Sequence, residues 1–433
     1  MKHFSPTIIA SLLCIFLFYA GIITPKTSKP FFTLLENSDV EILLGTVISN
    51  PVKSSSGKTY SVAFSPNYSF SKEGFSSSAS GEVSLFIPSE IVEAYYPGKL
   101  NTVAKTRKST VQEKNLPTVD LEQTYGFQSQ FPIIENGISL VSKVSYLERE
   151  DGSPAFYVEE VVSHGYKSKI NFYRAYSRLM LKRILYNWGE CGGLLLALLS
   201  GSREYTSEEV QKSFSNAGLA HVLALSGMHL SIFASLPNKI TKKKSQMISL
   251  IIVMIFVWFA GLSPSLFRAL LCMILGSVFK KLDIKTNLLG ILSLSFLIQI
   301  SIFPSHIYNY GFILSYCALI GLDFGQKLFL PLFCKIFPKK LSSDISSSLG
   351  AQLITSPICL VGFGTCSPFG VIASVVVSPL ASIFLSFGIF ALILSLIIPF
   401  LLSPIGCIMS VIYVILTWIV NFFAKFPIIQ ISI

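Results

Sequence analysis

Charge is scarce in this sequence. Asp, Glu, Lys and Arg make up 13% of its 433 residues, against about 25% in an ordinary soluble domain. So few charges cannot cover a water-soluble surface of this size. Cysteine is missing altogether between residues 36 and 183, so no disulfide can form within that stretch. The eight cysteines, Cys14, Cys191, Cys272, Cys317, Cys334, Cys359, Cys366 and Cys407, include no CxxC pair. A cysteine inside an apolar helix is usually a small packed hydrophobe. Histidine is sparse too, and His3, His164, His221, His229 and His306 are too scattered to show metal-ligand spacing. HExxH, GxSxG, GxxxxGK(S/T) and the paired His and Asp of a metallohydrolase are all absent. Catalysis is not expected, nor is a metal or a cofactor.

What is abundant is apolar. Hydrophobic residues account for 51% of the chain, the mean hydropathy is +0.62, and the long apolar runs lie beyond about residue 190. The net charge of +11 collects in short basic clusters between those runs, a pattern of membrane topology rather than of bulk polyanion binding. An apolar run over 7–23 follows Lys2 and His3 and sits at the lower length limit for a bilayer crossing. A cleaved signal peptide shares that design, but no A-x-A site follows, so an uncleaved anchor over 1–25 is the expectation.

Over 36–170 the runs VEILLGTVIS, KTYSVAFS, GEVSLFIP and SPAFYVEEVVSH are β-rich and broken by Ser, Gly, Pro and Asn clusters. They predict a small all-β soluble domain, a barrel or a sandwich. Lys105, Arg107 and Lys108 form a basic patch in it, for which a solvated loop is the ordinary reading and a nucleic-acid contact the sharper one. Over 171–190 the period changes. Arg174, Arg178, Lys182 and Arg183 recur at near-helical spacing among Phe172, Leu179, Ile184 and Leu185, which predicts a basic amphipathic helix on the bilayer surface. Lipid headgroups are its simplest partner, and nucleic acid could use the same charges.

The rest, 191–433, reads as a multi-helix membrane domain with spans at about 219–236, 247–262, 265–279, 287–303, 308–322, 345–361, 369–379, 381–402 and 404–424. Residues 194–199 and the half-segment before Pro379 read as re-entrant or buried. Three connections are basic: Lys239 with Lys242, Lys243 and Lys244; Lys280 and Lys281 with Lys285; Lys327 and Lys335 with Lys339 and Lys340. Those at 261–265, 303–309 and 364–368 carry no Lys or Arg. The first set should be cytoplasmic and the second external, which places the β-rich domain outside.

Polar groups are expensive in hydrocarbon and should face a bundle interior or a wet path. His221, Ser226 and His229 share AGLAHVLALSGMHL, with Ser226 and His229 on one helical face. Arg268 follows a Gly-Leu-Ser-Pro turn, and Asn309 and Gln352 complete the set. Helix–helix hydrogen bonding is the ordinary use of any one of them. Gly227, Gly261, Pro264, Gly350, Pro357, Gly362, Gly364, Gly370 and Pro379 punctuate the same helices, as broken cavity-lining helices do and as ordinary kinks do.

At AGLAHVLALSGMHLSIFA the chain resembles the ComEC competence family, with Ala217, Gly218, Leu219, His221, Ser226, Gly227 and His229 in register. LALLSGSREYTSEEVQKSF upstream, and GLSPSLFRALLCMIL with Gly261, Ser263, Pro264, Ser265, Arg268 and Ala269, extend the likeness, as does the region around Gln352. The resemblance covers most of 185–390. It implies an inner-membrane, multi-pass channel that takes up single-stranded DNA in natural transformation, with an OB-like outer domain. It also implies a DNA receptor outside, a DNA motor in the cytoplasm, and self-association as an open question. An OB barrel could offer single strands a basic and aromatic surface, for which Tyr60, Phe64, Tyr95, Tyr96, Lys105 and Arg107 are available, although core packing is the commoner use of such aromatics; Lys108, and Arg174 and Arg178 on the following basic helix, are the further candidate DNA contacts. The metallo-β-lactamase-like domain of many members does not follow here, so no built-in nuclease is expected of this short form. A transporter of another solute and a membrane scaffold are the competing classes.

Overall fold

The computed structural model describes residues 6–24, 30–54, 56–97, 132–149, 152–241, 246–285 and 287–430, with the side chains of 236–241 excepted. Lys105, Arg107 and Lys108 lie outside the described residues. The chain forms two compact units. One comprises Thr27–Asn187 with Ser202–Glu204, and the other Met1–Lys26, Trp188–Gly201 and Tyr205–Ile433.

The first unit is built on a sheet of strands β1 (Val40–Val47), β2 (Val52–Lys53), β3 (Thr59–Ser71), β4 (Ser76–Ser78), β5 (Val83–Pro88), β6 (Ile138–Glu148) and β7 (Pro154–Tyr166). Alternate residues of β3 and β5 turn inward, so Tyr60, Val62, Phe64, Val83, Leu85 and Ile87 are buried while their neighbours are not. That is the period-two signature of a strand with one covered face. The strand path runs β1-β6-β7-β5-β3, and β3 pairs with β1 again, so the path closes on itself. Every pairing in this ring is antiparallel except β5 with β7.

The same unit contains a helix over Lys169–Tyr186, and here the sequence expectation needs correction. The segment is helical and basic, but its buried stripe is Ala175, Arg178, Leu179, Lys182 and Leu185. Two of the charges expected to face lipid headgroups or nucleic acid are therefore turned into protein. An amphipathic period shows which residues share a face, not what that face meets. The other face exposes Ile170, Tyr173 and Tyr176.

The second unit is helical. With helices numbered along the chain, and the Lys169–Tyr186 helix as α2, it comprises α1 (Pro6–Tyr19), α3 (Gly189–Ser200), α4 (Glu208–Asn216), α5 (Ala220–Leu223), α6 (Gly227–Thr241), α7 (Gln246–Ala260), α8 (Pro264–Lys281), α9 (Leu288–Ile302), α10 (Tyr310–Phe333), α11 (Lys339–Phe363), α12 (Gly370–Ile397) and α13 (Leu402–Ala424). Among the described residues four helical segments are long and apolar enough to cross a bilayer: Tyr310–Phe333, Lys339–Phe363, Gly370–Ile397 and Pro399–Ala424. This is a membrane protein. Helices α1, α3, α7 and α9 are apolar but shorter.

Packing in this unit follows membrane rules. Ser11 Oγ of α1 donates to the Ser293 carbonyl of α9 (3.1 Å), and Ser293 Oγ donates to Thr7 Oγ1 (2.8 Å), a pair of interhelical hydrogen bonds of the kind that joins helices where no hydrophobic drive exists. Helix α3 is buried from Cys191 to Ser200, with Leu195 against Gly388 of α12. The indole Nε1–H of Trp188 donates to the Leu402 carbonyl (2.9 Å).

Two span boundaries differ from the sequence expectation. Segments 369–379 and 381–402 were expected as separate pieces, yet α12 runs unbroken through Pro379. A proline forfeits one backbone hydrogen bond, which neighbouring helices and side chains can make good in a membrane. The expected span over 219–236 is instead broken at Ala224–Ser226 between α5 and α6. Finally, the strands β8 (Thr365–Cys366) and β9 (Ile429–Gln430) pair antiparallel, so the ends of α11 and α13 meet at one end of the unit.

Candidate functional site

The break before α6 organises the motif residues. Ser226 donates its backbone N–H to His229 Nδ1 (3.1 Å), and its Oγ lies 3.2 Å from the same nitrogen. Because Nδ1 accepts a backbone N–H, the ring proton belongs on Nε2. His229 is fully buried. Ser265 Oγ donates to the carbonyl of Leu225 (2.7 Å), tying the start of α8 to the break.

The Gly-Leu-Ser-Pro turn is helix-start chemistry. Gly261 has φ +102°, a left-handed value that disfavours a side chain. Ser263 is the N-cap of α8, its side chain accepting from the Leu266 amide (3.4 Å), and Pro264 follows in the first turn, where its missing N–H costs nothing. This turn aims Arg268 inward, three residues beyond Ser265. Arg268 Nη1 donates to the Ser315 carbonyl, and the guanidinium lies 5.7 Å from the Tyr316 ring centre. A Cβ placed on Gly227 would stand 3.8 Å from Arg268 Nη2, so Gly227, Arg268, Ser226 and His229 form one cluster.

Gln352 is elsewhere. Its Nε2 donates to the Ser367 carbonyl, and its Oε1 is near Gly370, whose backbone approaches Gly218. Gly218 has φ +74°, so the glycine of Ala-Gly-Leu serves a tight turn and a close backbone contact. His221 lies on α5, and among the described residues no hydrogen bond joins it to His229.

A buried polar chain adjoining Arg268 was not foreseen. Tyr316 Oη donates to Gln299 Oε1 (3.1 Å) and is 3.2 Å from Ser295 Oγ. Gln299 Nε2 donates to the Pro264 carbonyl (3.0 Å) and lies 3.2 Å from His306 Nδ1. Gln299 was visible as a lone amide in an apolar run. Tyr316 gave no signal, because an aromatic residue in a span is ordinary.

In the β-rich unit, Arg178 is 1% exposed in its side chain, with Nε donating to Glu135 Oε2 (3.0 Å) and Nη2 to Ser202 Oγ (3.0 Å). The expectation that Arg178 contacts DNA is corrected by that burial. Lys182 Nζ donates to Tyr96 Oη (2.7 Å), Glu135 Oε1 (3.3 Å) and Glu204 Oε1 (3.0 Å), which uses all three ammonium donors. Burial alone would raise the Glu135 carboxyl. The charges of Arg178 and Lys182, with the Arg178 hydrogen bond, hold it below the ordinary carboxylate value instead. The Tyr96 hydroxyl is pushed well up, by burial first and then by Glu204. Arg174 is half-buried, with Nη2 donating to Asn50 Oδ1 (3.3 Å).

Among the described residues no group of His, Cys, Asp and Glu is placed to hold a metal ion. Comparison with known proteins then bears on the helical unit. The family model described as "Competence protein" matches residues 198–433, more than half of the chain. The chain belongs to the competence protein family. It is 27% identical over 179 residues to ComE operon protein 3 of Bacillus subtilis, covering 39% of this chain and 21% of that protein. It is 28% identical over 181 residues to the uncharacterized protein MG316 of Mycoplasma genitalium, covering 41% of this chain and 46% of that one. It is also 29% identical over 203 residues to an uncharacterized protein of Aquifex aeolicus, covering 46% and 47%. The chain thus spans between about a fifth and half of the length of these relatives. No solved structure matches it. The matched stretch contains the α5–α6 break, the Gly-Leu-Ser-Pro turn, Arg268 and Gln352, so the competence family's helices hold every motif residue of the cluster.

Proposed function

We propose that this competence-family protein is an inner-membrane channel for uptake of single-stranded DNA in natural transformation, without catalytic activity of its own. The observation that carries the reading is the convergence of family motif residues Ser226, Gly227, His229 and Arg268 on a broken helix inside the membrane unit. Broken helices with buried polar groups are the usual construction of membrane substrate paths. The strand ring of the soluble unit, with its one parallel pairing of β5 and β7, supports an OB-like barrel, a fold suited to single strands. On this reading Lys105, Arg107, Lys108 and the half-buried Arg174 would be its phosphate contacts.

Charge supports the orientation. Lys280, Lys281, Lys339 and Lys340 sit at helix ends facing the cytoplasm by the positive-inside rule. With α12 a single crossing, alternation puts the ends of α11 and α13 together on the opposite side, in keeping with the β8–β9 pairing. The β-rich unit is then external, where a receptor would hand DNA over, and a motor would pull from the cytoplasm.

The test is cytoplasmic accumulation of labelled DNA in a strain deleted for the gene, complemented by the wild type or by His229→Ala at equal membrane level. Deletion is expected to abolish uptake and the variant to restore less than about a tenth of it, a loss of the order expected when a buried hydrogen-bonding group at a functional site is removed. Unchanged uptake on deletion, with no second copy of the gene, would replace this reading with the solute-transporter or scaffold one.

A further inference from the structure

Two buried donors at the start of α6 lack a hydrogen-bond partner. Arg268 is 6% exposed, and its Nε has no hydrogen-bond partner. His229 is 0% exposed, and its Nε2, which bears the ring proton, has none either. Among the described residues no carboxylate pairs with either side chain. Gly227 opens a helix of 15 residues that presents the positive end of its dipole there; the His229 amide already donates to the Ser226 carbonyl (3.1 Å), so the orphan donors of a helix start are the amides before it, those of Gly227 and Met228. Arg268 Nη2 lies 3.8 Å from where a Cβ on Gly227 would stand, an ordinary contact distance that sets the guanidinium beside the helix start.

A guanidinium set against a positive helix end, in a medium where charge is expensive, is a repulsive arrangement unless a counter-charge enters. The missing partner is an acceptor, and it must be negative. The forked, planar guanidinium matches the oxygens of a phosphate, and helix N-termini bind the same group through their amides. Ser226 fixes the His229 ring by its backbone N–H, which leaves a second oriented donor on the same turn of α6.

We propose that the α5–α6 break is a phosphodiester subsite, in which Arg268 and the first amides of α6 hold one phosphate oxyanion. It rests on the DNA-channel reading only for the source of the phosphate. A DNA backbone and a lipid headgroup offer the same chemistry.

The experiment is thermal unfolding of the purified full chain in nanodiscs, with a short oligothymidylate or its uncharged methylphosphonate counterpart as probe. Two bilayers are used, one of phosphatidylcholine and one of galactolipid without phosphate. The charged oligomer is expected to raise Tm by a few degrees at about a hundredfold excess over Kd, the uncharged one not to, and Arg268→Gln to lose the rise. A rise in both bilayers that Arg268→Gln loses assigns the site to DNA, whereas a rise that Arg268→Gln keeps comes from elsewhere on the chain, such as the β-rich unit, and overturns the proposal. A rise confined to galactolipid shows a lipid phosphate already seated there, which upholds the phosphodiester chemistry and changes its source. No difference between charged and uncharged oligomers in either bilayer overturns the proposal, and that comparison needs only the wild-type protein. Uptake plays no part in the assay, so its failure and the failure of the channel reading are separable.

Discussion

Glu135→Ala is expected to destabilise the β-rich unit by about 3–5 kcal/mol, the usual result of removing one side of a buried ion pair. The loss is large because Arg178 and Lys182 would remain inside, at 1% and 3% side-chain exposure, with their shared carboxylate gone. Hydrogen exchange of β6 and β7 in the full chain would report it as faster exchange across both strands. Glu41→Ala is the contrast, since its pair with Lys143 is open to solvent at 30% and 44% exposure, and such pairs seldom contribute measurably. The pH dependence has a fixed sign. A carboxyl held below its ordinary value in the folded state contributes stability above the unfolded pKa of about 4.3, and that contribution is lost as pH falls through the lower folded value. Exchange protection in this unit should therefore persist at neutral pH and collapse in the acid range, whereas Glu135→Gln should flatten the acid limb.

Gly350→Leu is expected to prevent the α10–α11 hairpin from forming. Gly321 and Gly325 of α10 face Gly350 of α11, and a Cβ on any of them would overlap backbone atoms of the opposite helix, as for Gly325 with Gly350 Cα at 2.7 Å. This is the small-residue contact that lets membrane helices approach backbone to backbone. Adding methylenes to a well-packed core of side chains costs about 1–3 kcal/mol, but here the obstructing atoms belong to backbone and cannot rotate away. The readout is monodisperse protein recovered in mild detergent, with near-complete loss expected for Gly350→Leu and partial loss for Gly350→Ala. Gly276→Ala on α8, which meets nothing within 4 Å, should be recovered like the wild type. Equal recovery of all three variants would show that the close approach is not needed.

Both predictions rest on contacts that the sequence did not display. Apolar runs announced the membrane helices, and alternation announced β3 and β5, because both periods are local. Span ends are not legible where a helix continues through charge. The run expected over 308–322 extends to Phe333, past Asp323 and Lys327, which pair with each other on its surface. Pro379 reads as an interruption in the sequence because what a proline loses locally is visible and what its neighbours restore is not. The stripe of α2 was legible as a stripe, but its counter-charge Glu135 is 43 residues from Arg178. At the candidate site, Ser226, Gly227, His229 and Arg268 were readable as motif residues, whereas the break between α5 and α6 that joins them was not. Gly227 and Ser226 there do not differ from small residues in any unbroken membrane helix.

The most direct measurement of the central claim is photocrosslinking during uptake. A photoreactive residue is placed either at Ala224, exposed in the break before α6, or at Trp418, 69% exposed on α13. Labelled DNA is then trapped in transit, with membrane levels matched. The account predicts a DNA adduct at position 224 and none at 418. Adducts at 418 alone, or equal adducts at both positions, would contradict the passage of DNA by the α5–α6 break.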